Sequence, residues 1–132
     1  MDEHQVGDEE FLDIAKDPAR ARALRKSLQR LADSKDETLR EMAREVLAGR
    51  VGLRQAVRTR AYREALQEKA GMGMRAYERM NAEERSAAEA QGLMQLDAYQ
   101  KEIDQERVER RVERGRGKRG TSAPHEARGR EL

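Results

Sequence analysis

The chain of 132 residues contains no cysteine and no tryptophan, and only Phe11, Tyr62, Tyr77 and Tyr99 are aromatic. Without cysteine there are no disulfides, thiolate metal sites or cysteine nucleophiles, which agrees with a reducing compartment. Without large aromatics, burial rests on Leu, Val, Met, Ile and Ala, which individually remove less area from water, so a small core is expected. No apolar run approaches the roughly 18 residues that a membrane span needs. The opening MDEHQVGDEE lacks the basic region and apolar run of a secretory signal. A cytoplasmic protein with no membrane partner is the expectation.

Charge is what the sequence has in excess: 41% of residues are Asp, Glu, Lys or Arg, against roughly 25% in an average soluble protein. The net charge of +2 conceals a polarity along the chain. Residues 1–17 carry seven acids and one base, residues 18–106 a net +3, and residues 107–132 nine bases and four acids. Ends of opposite sign bind charged partners or each other, or are simply solvated.

The apolar pattern predicts an all-α protein of four or five short amphipathic helices, in a small bundle or an extended helical array. Asp17-Pro18 reads as an N-cap with proline at the first helical position, followed by a stripe at Ala21, Leu24, Leu28 and Leu31. Ser34 to Glu37 has the form of a capping box ahead of Leu39, Met42, Ala43, Val46 and Leu47, with Gly49 placed to leave the helix at positive φ. A short segment carries Leu53, Ala56 and Val57, and Thr59 caps the next. There Tyr62, Leu66, Ala70, Tyr77 and Met80 form one face, interrupted or merely weakened by Gly71 and Gly73. Asn81 to Glu84 reads as a second capping box, opening a helix with Leu93, Leu96, Tyr99 and Ile103 on its apolar side. The predicted layout is an acidic flexible N-terminus at 1–7, a helical domain at 8–103, an exposed charged extension at 104–114, and a disordered basic Arg/Gly tail at 115–132.

Catalytic chemistry is poorly supplied. His4 and His125 both fall in the predicted tails, too far from other ligands to build a metal site. The carboxylates recur three or four residues from Arg or Lys, as in Glu37 with Arg40 and Glu106 with Arg110, the pattern of solvated helix pairs. Gly71-Met72-Gly73-Met74 matches neither a P-loop nor a dinucleotide fingerprint. The reading is therefore no enzyme, no metal, no cofactor and no small-molecule substrate.

Two basic stretches are the candidates for partner binding. GRVGLRQAVRTRAYR, residues 49–63, holds Arg50, Arg54, Arg58, Arg60 and Arg63 and no acid. On a continuous helix Arg50, Arg54 and Arg58 share one edge, which either grips phosphates or carboxylates or is a solvated rim whose stems cover the apolar face. Ala48 and Gly52 suit a helix-turn-helix, but the apolar position that motif requires is occupied by Arg58, with Val57 one residue out of register. The second stretch is Arg114, Arg116, Lys118 and Arg119, an Arg/Gly tract without interleaved aromatics. The expected function is a non-catalytic helical interaction or regulatory protein that binds a macromolecular partner through apolar helix faces and these arginines. Self-association is included, because thin helical cores complete their burial between chains. The alternative is a sequence-tolerant DNA- or RNA-binding protein using the same arginines.

Overall fold

The computed structural model describes the backbone of residues 4–122 and the side chains of residues 4–116. Among these residues every regular element is helical: a 3-10 turn at Asp8–Phe11, then α1 (Leu12–Ala15), α2 (Pro18–Leu31), α3 (Glu37–Leu47), α4 (Leu53–Ala56), α5 (Arg60–Glu78) and α6 (Ala82–Ser122). The all-α expectation holds. The elements are less uniform than expected, with two of one turn each and two, α5 and α6, of 19 and 41 residues.

Local chemistry sets the boundaries. The extended Asp17 accepts a hydrogen bond from the Arg20 amide at 2.9 Å, and Pro18 opens α2. The break before it falls at Lys16, whose φ of 77° is left-handed. At α3 the cap is Asp36 rather than the expected Ser34: its carboxylate accepts from the Leu39 amide at 3.0 Å, while the Ser34 hydroxyl accepts from the Asp36 amide at 3.0 Å. A carboxylate one residue before the first helical position also complements the helix dipole, which a hydroxyl does not. The far end of α3 is a Schellman closure, with the Gly49 amide donating to the Val46 carbonyl, the Arg50 amide donating to the Glu45 carbonyl, and Gly49 at φ 79°. A Cβ on Gly49 would also come within 3.2 Å of the Val6 side chain.

The core is drawn from a short part of the chain. Phe11, Ala21, Leu28, Leu39, Met42, Ala43, Val46, Leu47 and Ala56 are buried together, flanked by half-buried Val6, Leu24, Leu31, Leu53, Tyr62 and Leu66. Where a flexible acidic arm was expected at 1–7, the Val6 amide donates to the Leu47 carbonyl at 2.8 Å and the Val6 side chain packs on the core; residues 1–3 lie outside the described residues. Apolar positions at three- and four-residue intervals put Leu39, Met42, Ala43, Val46 and Leu47 on one face of α3. The α2 and α3 faces then meet, and Phe11 closes the layer with none of its surface exposed.

Beyond Leu66 that core receives nothing. α5 runs straight through Gly71 and Gly73, and Met72 and Met74 are both more than half exposed. α6 opens with the expected capping box, Asn81 Oδ1 accepting from the Glu84 amide at 2.8 Å and Glu84 Oε1 accepting from the Asn81 amide at 2.9 Å. It continues to Ser122, across Gly115 and Gly117, where a disordered tail was expected. Once a helix is nucleated, each further residue adds a hydrogen bond at little cost; Arg, Glu and Lys are good helix formers, and Arg116 pairs with Glu113 at 3.6 Å. Residues 123–132 of that tail lie outside the described residues. By packing, the chain divides into two units, the first ending at Tyr99 and the second beginning at Gln100.

Candidate interaction surface

The arginines of residues 49–63 do not share a helix edge. Arg50 precedes α4, Arg54 lies within it and Arg58 follows it, because Gly49 and Gly52 turn the chain before α4 and the helix stops after four residues. α4, which stands where the motif needs its recognition helix, is a single turn and too short to enter a groove, so the comparison with a helix-turn-helix ends here as well.

Acids from elsewhere in the chain reach three of the five. Arg50 Nε donates to Glu45 at 2.9 Å, Arg54 reaches the Asp13 carboxylate at 3.4 Å, and Arg60 pairs with Glu64, one turn on, at 2.9 Å. All three pairs are substantially exposed, so each contributes little to stability. Arg58 and Arg63 differ: among the described residues no carboxylate pairs with either, and Arg63 reaches only the Arg58 carbonyl, at 3.5 Å. They flank the start of α5, where the Thr59 hydroxyl turns back to the Gln55 carbonyl instead of capping the helix. The cationic feature of this stretch is thus Arg58 and Arg63 rather than a row of five. In the second stretch Arg114 and Arg116 are exposed on α6. The side chains of Lys118 and Arg119 lie outside those described.

One ionic cluster went unread in the sequence. The Asp8 carboxylate receives hydrogen bonds from Arg22 Nε, at 2.8 Å, and from Arg25 Nε. Arg22 is the one buried charged residue among the described residues, 8% exposed. Burial pushes the Asp8 carboxyl up, but the hydrogen bonds from Arg25 and Arg22, with their charges, outweigh it and hold it below the usual value. Arg22 and Arg25 stand three residues apart beside the α2 apolar stripe, opposite an acidic segment, and that spacing was the available signal. The cluster ties the 3-10 turn to α2.

Two tyrosines act as struts. Tyr62 donates to Glu41 at 2.9 Å, joining α5 to α3, and Tyr77 donates to Glu89 at 2.7 Å, joining α5 to α6. In each case the carboxylate that accepts from the hydroxyl raises the phenol above its usual value, with a smaller contribution from burial. Arg85 stacks over the Tyr77 ring at 5.1 Å and donates to the Tyr77 and Glu78 carbonyls, satisfying the open end of α5.

A cleft of about 390 Å³ opens between the ends of α2 and α3, lined by Gln5, Asp33, Arg44, Leu47 and Arg50 among others. Its two arginines are held by the Ala32 carbonyl and by Glu45, and Asp33 is the one carboxylate among its described lining residues. No three His, Cys, Asp or Glu side chains converge as for a metal ion among the described residues, and no helix there is long and apolar enough to cross a membrane. The exposed apolar side chains are more informative: Leu93 and Met94 are 67% and 69% exposed, and Val108 and Val112 are nearly half exposed, all on α6. Compared with protein-family models, with curated proteins and with solved structures, the chain matches none.

Proposed function

We propose that this protein is a small non-catalytic interaction module, in which a packed helical knot carries a long helix that binds a macromolecular partner. The observation that carries the reading is the exposure of Leu93, Met94, Val108 and Val112 on a helix with no residue in the core cluster. Large apolar side chains held out on a stable helix are the usual anchors of helix-mediated recognition. Arg114 and Arg116, exposed on the same helix, add charge that favours encounter more than affinity.

Native purification at low salt tests this. The full chain is expected to elute with a stoichiometric companion chain, its own copy or another, and Met94→Glu is expected to release that companion without moving the unfolding midpoint. A chain that elutes alone at monomer mass, in low and in high salt, overturns the reading.

Arg58 and Arg63 support a second reading, sequence-tolerant binding of DNA or RNA, because they stand without acids beside the start of α5. In that case replacing both with Gln lowers nucleic-acid affinity and flattens its salt dependence by roughly one unit of slope per lost phosphate contact. An unchanged slope removes this reading.

A further inference from the structure

A hollow of about 440 Å³ lies between the end of α2 and the middle of α5, lined by Ser27, Arg30, Leu31, Ser34 and Lys69. Both helices belong to the first packed unit. α5 sets Tyr62, Ala65 and Leu66 against the core. Lys69 comes seven residues after Tyr62, about 20° round from it on a helix, and so continues the same side. An apolar residue there would extend the core; Lys69 instead brings a cation to the wall of the hollow. On α2, Ser27, Arg30 and Leu31 stand three and four residues apart and share a face. The turn that follows, closed by the Ser34 amide donating to the Leu31 carbonyl at 3.0 Å, adds Ser34 to the lining.

The polar groups of this lining are left with hydrogens to give. The Ser27 hydroxyl oxygen accepts from the Arg30 guanidinium at 3.0 Å, and the Ser34 hydroxyl oxygen accepts from the Asp36 amide at 3.0 Å. Each hydroxyl therefore keeps its own proton to donate, Arg30 keeps most of its five N–H groups, and Lys69 offers three. Among the described residues no carboxylate lines the hollow, and none pairs with Arg30 or Lys69. Nor are the two cations needed to neutralise the end of α2. The carbonyls of Leu28, Arg30 and Leu31 already accept from the Ala32, Asp33 and Ser34 amides, and that of Ala32 accepts from Arg44. The hollow thus presents two positive charges and several donors, with Leu31 as an apolar wall.

We infer that this hollow binds a small phosphate monoester, with Arg30 and Lys69 facing its charge, the Ser27 and Ser34 hydroxyls donating to its oxygens, and Leu31 lying against its organic part. A phosphate monoester carries a charge of about −1.5 to −2 at neutral pH and three strong acceptor oxygens, which matches two cations and a set of donors. A carboxylate brings half that charge and two oxygens in one plane. A nucleic-acid backbone carries one charge per phosphate and is gripped by rows of cations rather than a single pair. The volume is within the roughly 300–1,000 Å³ of small-molecule sites, which leaves room for more than the phosphate itself. This proposal does not rest on the interaction-module reading.

Calorimetric titration of the full chain at low salt, with phenyl phosphate, inorganic phosphate and benzoate as probes, tests it. Phenyl phosphate is expected to bind saturably at a single site, inorganic phosphate several-fold more weakly for want of the Leu31 contact, and benzoate about tenfold more weakly or not at all. Lys69→Gln and Arg30→Gln, both at exposed positions, should each weaken phenyl phosphate about tenfold with helicity unchanged. Affinity should also fall between pH 7 and pH 5, because the ester takes up a proton near pH 6. Absence of saturable binding at millimolar probe overturns the inference, and so does binding that neither substitution weakens. Benzoate binding as tightly as phenyl phosphate overturns the phosphate assignment. Equal affinity for the two phosphates means that the hollow takes the free ion and overturns the ester. Displacement of phenyl phosphate by a single-stranded oligonucleotide at lower concentration than by the ester itself assigns the cations to nucleic acid instead.

Discussion

Residues 6–66 and residues 67–116 are built from the same alphabet, helical and heavily charged, yet only the first stretch supplies the core cluster. α3 spends five of its eleven residues on one apolar face, and all five are buried. α6 distributes its Leu, Met, Val and Ile around the helix and leaves Leu93, Met94, Val108 and Val112 exposed. The difference is density of apolar residues on one face rather than capping, because α3 and α6 both open on a side-chain cap. A helix can therefore be well specified by its sequence without being specified to pack.

The sharpest way to break this contrast is a pair of truncations. Leu39→Ala, in the core, should cost about 2–5 kcal/mol, a large share of the roughly 5–15 kcal/mol a domain has. Leu93→Ala should stay within about 0.5 kcal/mol. Urea unfolding followed by circular dichroism measures both, and similar losses at the two sites would erase the distinction.

The sequence made the helix boundaries of both regions legible. Asp17-Pro18, the Gly49 exit and the Asn81 capping box were all readable, because each depends on two or three neighbouring residues. What failed depends on distant ones. No local rule shows that Glu45 and Asp13 reach Arg50 and Arg54, or that Asp8 lies between Arg22 and Arg25; the Arg60–Glu64 pair, four residues apart on a helix, was readable but lay one residue past the stretch that was read. Ser34 lost to Asp36 because two capping residues competed within one turn. Leu93 was grouped with Ile103 on one apolar side, yet Leu93 is exposed and Ile103 buried, because periodicity reports a stripe, not whether anything covers it.

The next effect is the acid sensitivity of the knot. The Asp8 carboxyl is held below its unfolded value, so its contribution is fully present above the ordinary carboxylate range and is lost as pH falls through the folded value. Asp8→Asn should lower stability by about 1–3 kcal/mol at neutral pH, because it removes the charge that Arg22 and Arg25 both bond to. It should also flatten the decline in stability between neutral and acid pH. An unaltered acid profile would mean the cluster is incidental.

A smaller and purely local effect is expected at Asn81. Asn81→Ala removes the cap of α6 and should cost about 1 kcal/mol, seen as faster amide exchange in the first turn of α6, with the amides of α3 unchanged. Faster exchange in α3 would show that the two regions unfold together. Smallest of all should be Tyr62→Phe, which removes the strut to Glu41. Since that phenol is raised, its contribution is present below its unfolded value and disappears as pH climbs through the folded one. The variant should match the parent protein in strong alkali and fall slightly behind it at neutral pH.

The hydrogen bond from Val6 to Leu47 also sets a timetable for synthesis. The acidic first segment leaves the ribosome early but has nothing to dock on until α3 has been made, so it waits for some forty residues of chain. Once Leu66 is available every member of the core exists, and a helical domain of this size closes in microseconds to milliseconds. The forty-one residues of α6 then take about 2–8 seconds to be translated. The knot closes before Leu93 and Met94 leave the ribosome, so these side chains emerge beside a finished core.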